Sequence, residues 1–353
     1  MIFNDISQRI SAQIERDQPF VIYSSFGQHS FKALFQKNAN SYTVNDYTES
    51  GFVLAPFDSN QNTYLIPNDN SEALNFKMDY FEQKRFSYTT STPDEDGHIK
   101  MVNEAINYIK TSELKKIVLA RNSILNFDNI DICSLFFSIS KAYPEAYTYC
   151  WFHPKTGFWL GASPETLLSV SNKLVKTMAL AGTKTYNGTL EVDWDDKNFE
   201  EQAFVTDYLR QSLSSYLHDL KVSKPKTIRA GKLVHLQTLI TGQLNDSQNS
   251  LGLLISNIHP TPAVCGTPKS LSKKFILQNE SINRSFYSGF LGHINDTSTE
   301  STPSTHLVVN LRCMHVKNAT ATLFAGGGIT SKSDPKIEWN ETEVKIQTLK
   351  SIF

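Results

Sequence analysis

Three glutamates stand where two helices should present apolar side chains. A long helix is expected from about Phe199 to Leu217, and its successive residues lie about 100° apart. With Glu201 at the centre, Phe204, Val205, Tyr208, Leu209 and Tyr216 fall within about 80° of it. Glu200 points the other way, with Asp207, Gln211 and Ser214. A carboxylate on a buried stripe needs a cation, and an ordinary buried salt bridge meets that need as well as a metal does. In a last helix, from about Glu338, the residues Glu338, Glu341 and Lys345 share a stripe at i, i+3 and i+7. Ile337 and Val344 flank it on one side, Ile346 and Leu349 on the other. Inward carboxylates on two helices, with no matching Cys or His cluster, suit a hard, oxygen-seeking ion such as Mg²⁺. Acids favouring a helix N-terminus explain Glu338 and Glu341 equally well, but not Glu201.

Four further features carry possible chemistry. Leu323-Phe-Ala-Gly-Gly-Gly-Ile-Thr330 offers either an anion nest of backbone N–H groups or a tight connection between strands. It lacks the lysine of a P-loop and the spacing of a dinucleotide fingerprint. Arg312, in the run Leu307-Val-Val-Asn-Leu-Arg-Cys313, reads as a lone cation in an apolar strand: a carboxylate clamp, or an edge-strand arginine facing solvent. Lys116 opens the strand Lys116-Ile-Val-Leu-Ala-Arg121 and shares a face with Val118 and Ala120. A desolvated lysine there serves as a general base; a solvated one at a strand mouth does nothing. Glu165 follows Pro164, which interrupts regular pairing and re-aims one side chain, either inward or to an exposed edge.

A folded chain must position these groups. The protein has 353 residues, with 34 Lys and Arg against 35 Asp and Glu. That balance argues against a nucleic-acid partner. The 40% hydrophobic content, with 22 Phe and 14 Tyr, supplies a large core and excludes global disorder. No apolar run approaches the ~20 residues of a membrane span, and the first thirty residues lack the pattern of a signal peptide. Cys133, Cys150, Cys265 and Cys313 are scattered without a C-x-x-C pair, so neither a disulfide framework nor a zinc site is expected. These features point to a soluble, cytoplasmic, reducing-compartment protein.

The first 95 residues read as a mixed region, with a helix over Ile6–Ile14 and strands at Phe20–Ser24 and Gly51–Phe57. The polar stretch Ser87–Gly97 is the best linker candidate. Helices are expected over Ile99–Thr111 and Ser134–Ala142, and a strand-rich zone from Tyr147 to Leu180. Neither internal repeats nor evenly spaced βα units occur. The expected class is α+β, with a large, mostly antiparallel sheet core.

Taken together, several blocks resemble the chorismate-utilising enzymes. They are Lys116-Ile-Val-Leu-Ala-Arg, Gly161-Ala-Ser-Pro-Glu-Thr-Leu-Leu168, Leu180-Ala-Gly-Thr183, and Glu201 at the head of a long helix. His259-Pro-Thr-Pro-Ala-Val-Cys-Gly-Thr-Pro-Lys269, Phe286-Tyr-Ser-Gly-Phe-Leu-Gly292, Arg312, Phe324-Ala-Gly-Gly-Gly-Ile and Glu338-Trp-Asn-Glu-Thr-Glu-Val-Lys345 complete the set. The match runs in order through residues 100–350. It implies a single large domain of two packed, mostly antiparallel sheets surrounded by helices. Residues 1–95 then form a divergent N-terminal part of that fold and 96–353 the chorismate-binding catalytic region.

The resemblance also implies roles. Members that aminate chorismate, often with a glutaminase partner, typically lack a lysine at the position of Lys116; those with it activate water. Ala263 followed by Val264 resembles the members that make isochorismate, where those making salicylate tend to carry Thr. The implied reaction is Mg²⁺-dependent conversion of chorismate to isochorismate, with Lys116 as base and Glu165 as acid. Glu201, Glu341 and, through water, Glu338 would hold Mg²⁺ against the ring carboxylate, with Gly182 and Thr183 on the same side. Arg312, Lys345 and the Gly326 amide would take the enolpyruvyl carboxylate. Ala263 and Val264 would shape the wall. His235 would touch the ring or serve the structure alone. Asn198 and Gln202 depart from the usual Lys-Asp-x-x-Glu-His pattern, which implies altered support for the metal. A salicylate synthase and a catalytically silent chorismate-binding module are the competing readings. No glutaminase subunit is expected, and a monomer is. Menaquinone and siderophore pathways stay equally open.

Overall fold

A computed structural model of the protein describes residues 3–28, 30–78, 84–230, 233–245, 250–297 and 302–353. Among the described residues the strands form two ten-stranded antiparallel sheets, packed face to face with helices on the outer surfaces. In the first sheet the strand Lys116–Phe127 lies beside Thr320–Ile329, followed by Cys313–Lys317, Gly157–Ser163, Tyr147–His153 and Phe20–Ser24. In the second, Leu233–Leu244 lies beside Leu174–Thr185, then Thr166–Ser171, Ser304–Val309, Phe290–Asp296 and Gly51–Ala55. Strands from the first 80 residues thus extend both sheets.

The strands are apolar on both faces because both faces are covered. In Phe20-Val-Ile-Tyr-Ser, Phe20 and Ile22 join a cluster under the outer helices, with Phe136 and Ile346. Val21 and Tyr23 join the inter-sheet core, with Phe52, Trp151 and Leu291. Period-two alternation is therefore absent from the sequence of such strands. Fully burying each of these large side chains contributes about 1.5–3 kcal/mol. All four cysteines are buried and unpaired. Among the described residues no helix is long and apolar enough to cross a membrane.

Several elements differ from their sequence reading. Ser87–Gly97 is no simple linker: Tyr88–Thr90 pairs with Leu125–Phe127, and a helix begins at Glu95, capped by Asp94. The helix over Glu201 runs Asp196–Ser214 and stops before Leu217, which opens a strand pairing with Leu244. The glycines at 326–328 form neither a nest nor a turn. They lie inside the strand Thr320–Ile329, with Gly326 opposite Ala120 and Gly328 opposite Val118. Arg312 is not in a strand either. Its φ of +47° marks a sharp reversal between Ser304–Val309 of one sheet and Cys313–Lys317 of the other.

That reversal matters because a second crossover lies beside it. Pro164 and Glu165 join Gly157–Ser163 of the first sheet to Thr166–Ser171 of the second. The two crossings are stitched together. Val309 N donates to Glu165 O at 2.9 Å, Ala162 N to Arg312 O at 3.1 Å, and Ser163 Oγ to Val309 O at 2.6 Å. Glu165 and Arg312 are thereby held at one place between the sheets.

Candidate active site

One cavity opens at these crossings. Lys116, Glu165, Gly182, Thr183, Glu201, His235, Ala263, Val264, Arg312, Gly326, Glu341 and Lys345 all line it. Twelve of the thirteen residues singled out from sequence thus meet in one place, although they come from nine separate elements or loops. Glu338 is the exception: it is 1% exposed and lies behind the glycine strand, its Oε2 3.5 Å from where a Cβ on Gly327 would stand. Sequence reasoning gave no role to Tyr287 and Phe324, which form one wall as a stacked pair 5.3 Å apart. Both occur in blocks that carry the family resemblance, yet an aromatic at such a position looks the same as core.

Each polar group has an identifiable support. Lys116 begins its strand with 2% exposure and faces Glu201, Nζ to Oε2 3.7 Å. That is an ion pair too long to be a hydrogen bond, so the amine is not committed to the carboxylate. Glu201 sits on the inner face of its helix at 8% exposure, while Glu200 is exposed, as the helical geometry requires. The C-terminal helix starts at Pro335 with Asp334 as its cap. Arg121 pins it down, donating to Thr342 Oγ1 at 2.6 Å, pairing with Glu343 and lying 3.9 Å over the Trp339 ring. This orients the stripe that carries Glu341 and Lys345. Lys345 donates to Glu341 at 2.6 Å and to Gly326 O at 2.8 Å.

On the opposite wall, pairing between Leu174–Thr185 and Leu233–Leu244 shifts register between Ala181 and Lys184. The irregularity turns Gly182 and Thr183 toward the cavity. Gly182 has φ +69°, and a Cβ there would come within 3.1 Å of Trp194. His235 reaches the Gly182 carbonyl at 2.8 Å through Nδ1. A carbonyl only accepts, so Nδ1 carries the proton and Nε2 is a bare acceptor. Burial, aided by Arg312, pushes the ring's pKa down to about 3, which keeps it neutral.

Glu165 is a strongly perturbed acid. At 3% exposure, burial raises its pKa to about 8, against the opposing pull of Lys116 and Arg312. It therefore holds its proton at neutral pH and can donate it. A buried amine and a buried protonated carboxyl thus border the same cavity.

The carboxylates also permit a metal. Among the described residues no group of three or more His, Cys, Asp or Glu is gathered closely enough to hold an ion by itself. Mg²⁺ asks for less, one or two carboxylates together with waters and an anionic ligand. Glu201 and Glu341 supply two at the cavity. The bare strand at Gly327 and Gly328 leaves room between the acids: a Cβ on Gly328 would stand 3.1 Å from Glu201 Oε1 and 2.8 Å from Lys116 Cε. The donor set fits the ion. The same contacts make Gly328→Ala informative. Its methyl group should displace Lys116 with little effect on thermal stability, and a misplacement of about 1 Å costs roughly 100-fold in turnover. Steady-state rates beside a melting curve would check this.

Residues 7–353 match the family model described as chorismate binding enzyme. The chain belongs to this family. Its similarity to isochorismate synthase MenF of Escherichia coli K12 is 30% identity over 270 residues, 74% of this chain and 61% of that protein. Against EntC of the same strain it is 28% identical over 355 residues, 96% of this chain and 87% of the other. With the Arabidopsis thaliana chloroplastic isochorismate synthase 2 it shares 32% identity, over 46% of that protein. The chain thus spans about half to three-fifths of some longer relatives. Among solved structures, Escherichia coli MenF superposes with a TM-score of 0.80 at 23% identity, covering 95% of this chain and 88% of that one. The likeness establishes the fold of a chorismate-binding enzyme, two sheets packed inside a layer of helices.

Proposed function

We propose that the protein is an isochorismate synthase, an isomerase that converts chorismate to isochorismate with Mg²⁺. The observation that carries this reading is the pairing of buried Lys116 with buried Glu165 in one cavity that also holds the Arg312 cation. Relatives named as isochorismate synthases support it. Chorismate is a dicarboxylate ring bearing a hydroxyl that must leave. Arg312 and Lys345 bind the enolpyruvyl carboxylate, while Gly182 and Thr183 face the ring carboxylate. Glu201 and Glu341, with Glu338 behind them, would hold Mg²⁺, which would supply positive charge to offset the ring carboxylate. Lys116 takes a proton from water as its oxygen bonds to a ring carbon, the double bonds shift, and the C–O bond of the departing hydroxyl breaks. Glu165 protonates that hydroxyl, which leaves as water. One water enters and one leaves, and return of the proton from Lys116 to Glu165 resets the pair.

Ala263 and Val264 on the wall favour this product over salicylate, which requires further elimination of pyruvate. A silent binding module needs neither a base nor an acid. By the same reading the enzyme works in the cytoplasm as a monomer without a glutaminase. The test is proton NMR of purified protein with chorismate and Mg²⁺, with a parallel pyruvate assay. Isochorismate in equilibrium with chorismate, without pyruvate, is the expected result. Equal amounts of salicylate and pyruvate would replace it with the salicylate reading, and binding without conversion with the silent module.

Asn198 supports a further expectation. It lines the cavity one helical turn before Glu201, and its buried Oδ1 lacks a hydrogen-bond partner. Asn198→Asp adds a carboxylate beside Glu201 and should tighten Mg²⁺ binding about tenfold, within the range seen for groups that support metal ligands. Calorimetric titration of the substrate-free protein with Mg²⁺ checks this independently of turnover.

A further inference from the structure

Behind the cavity lies a buried ion pair that the reaction does not use. The side chains of Arg284 and Glu280 are 3% and 2% exposed. Arg284 Nε donates to Glu280 Oε2 at 2.7 Å, and its Nη2 meets the other carboxylate oxygen. The pair also reaches outward to two strips of backbone. Arg284 Nη2 donates to Val118 O at 2.6 Å and Nη1 to Val264 O at 2.8 Å. Glu280 Oε1 accepts from Ala120 N at 2.8 Å. The Phe57 ring covers the guanidinium at 4.4 Å.

Those two strips are opposite parts of the site. Val118 follows Lys116 by two residues on the same face of the strand, so both side chains line the cavity. Val264 belongs to the wall. Other direct backbone ties between them are short: Val118 N to Cys265 O and Lys115 N to Thr267 O, each at 2.9 Å, and the two-residue pairing of Gly266–Thr267 with Lys116–Ile117. A planar guanidinium spans two carbonyls in a fixed geometry, which a lysine cannot do. For stability alone, well-packed apolar residues serve as well as a buried ion pair.

We propose that Arg284 and Glu280 are a positioning pair, fixing the distance between the strand of Lys116 and the Ala263–Val264 wall. This rests on the isochorismate synthase reading, and the wild-type measurement tests that reading first. If wild-type protein leaves chorismate unchanged, the proposed function fails before any variant is compared. The variants are Arg284→Lys, which keeps the charge beside Glu280 but cannot grip both carbonyls, and Glu280→Gln, which keeps an acceptor for Ala120 N. Both are measured for thermal unfolding, kcat and KM per folded molecule. The expected result is a folded protein with kcat lowered 10- to 100-fold and KM changed less than threefold, because the base is misplaced while the carboxylate clamps remain. Rates within twofold of wild type, or a loss that only follows the folded fraction, would overturn the proposal. Failure of both variants to fold would assign the pair to stability and overturn it too.

Discussion

Lys116→Ala should lower chorismate turnover about 10²- to 10⁴-fold, the usual contribution of a positioned proton-transfer group. Its amine is the basic group on the cavity that faces Glu165 from a fixed strand. Arg312 stays protonated, and Lys345 is held by Glu341 and Gly326 O. Alanine leaves Glu201 without its cation, yet that carboxylate borders the cavity and keeps 8% exposure, so the protein should still fold. Stopped chorismate consumption with an intact melting transition is the expected pair of results. A residual rate within tenfold of wild type would remove Lys116 from the role of base.

Glu165→Gln should be as damaging to turnover and should raise stability. Glutamine keeps the shape but has no proton to give, so the hydroxide must leave unassisted. The wild-type carboxyl has a pKa of about 8 when folded, against an ordinary value of 4.5, because burial penalises its charge. Between those values the unfolded chain releases this proton and the folded chain retains it. Stability therefore falls as pH rises from about 4.5 to 8, with a slope of at most about 1.4 kcal/mol per unit. Glutamine does not titrate, so the variant should melt higher than wild type, by a margin that widens through this window and is constant above it. Wild-type turnover should decline as pH rises through about 8, where Glu165 loses its proton. Melting curves and rates over that range test both statements, and equal melting temperatures throughout would contradict the buried-acid assignment.

Two of the cavity's charged groups were legible in the sequence for a local reason. Glu201 lies mid-stripe on a helix, so periodicity directs it inward. Lys116 heads an apolar strand and shares a face with Val118 and Ala120, which left an inward reading open beside a solvated one. Arg312 and the three glycines were misread because their conformations are set from far along the chain. The run Leu307–Cys313 is apolar throughout, and nothing in it marks where the chain leaves one sheet for the other. That point is fixed by hydrogen bonds to Ala162, Ser163 and Glu165. Gly326–Gly328 suggest a turn until their pairing with Val118–Ala120 is known. Arg284 and Glu280 stand four residues apart, like many surface ion pairs, and only the meeting of three distant segments buries them. Local pattern thus pointed to groups that share the cavity, while long-range pairing decided how they are held.

The pairing of Lys116–Phe127 with Thr320–Ile329 has a consequence during synthesis. As the ribosome delivers the chain, the first strand emerges long before its partner, and the helix bearing Glu341 and Lys345 follows that partner. Until then one long edge of an apolar strand offers its amide and carbonyl groups to any neighbouring chain. Contacts so distant along the sequence also form slowly. A nascent chain stalled before Thr320 should be both inert and sticky, prone to clumping with its own kind. Chaperone demand should therefore be greatest before Thr320–Ile329 has emerged, and a fragment ending before Thr320 should neither turn over substrate nor stay dispersed.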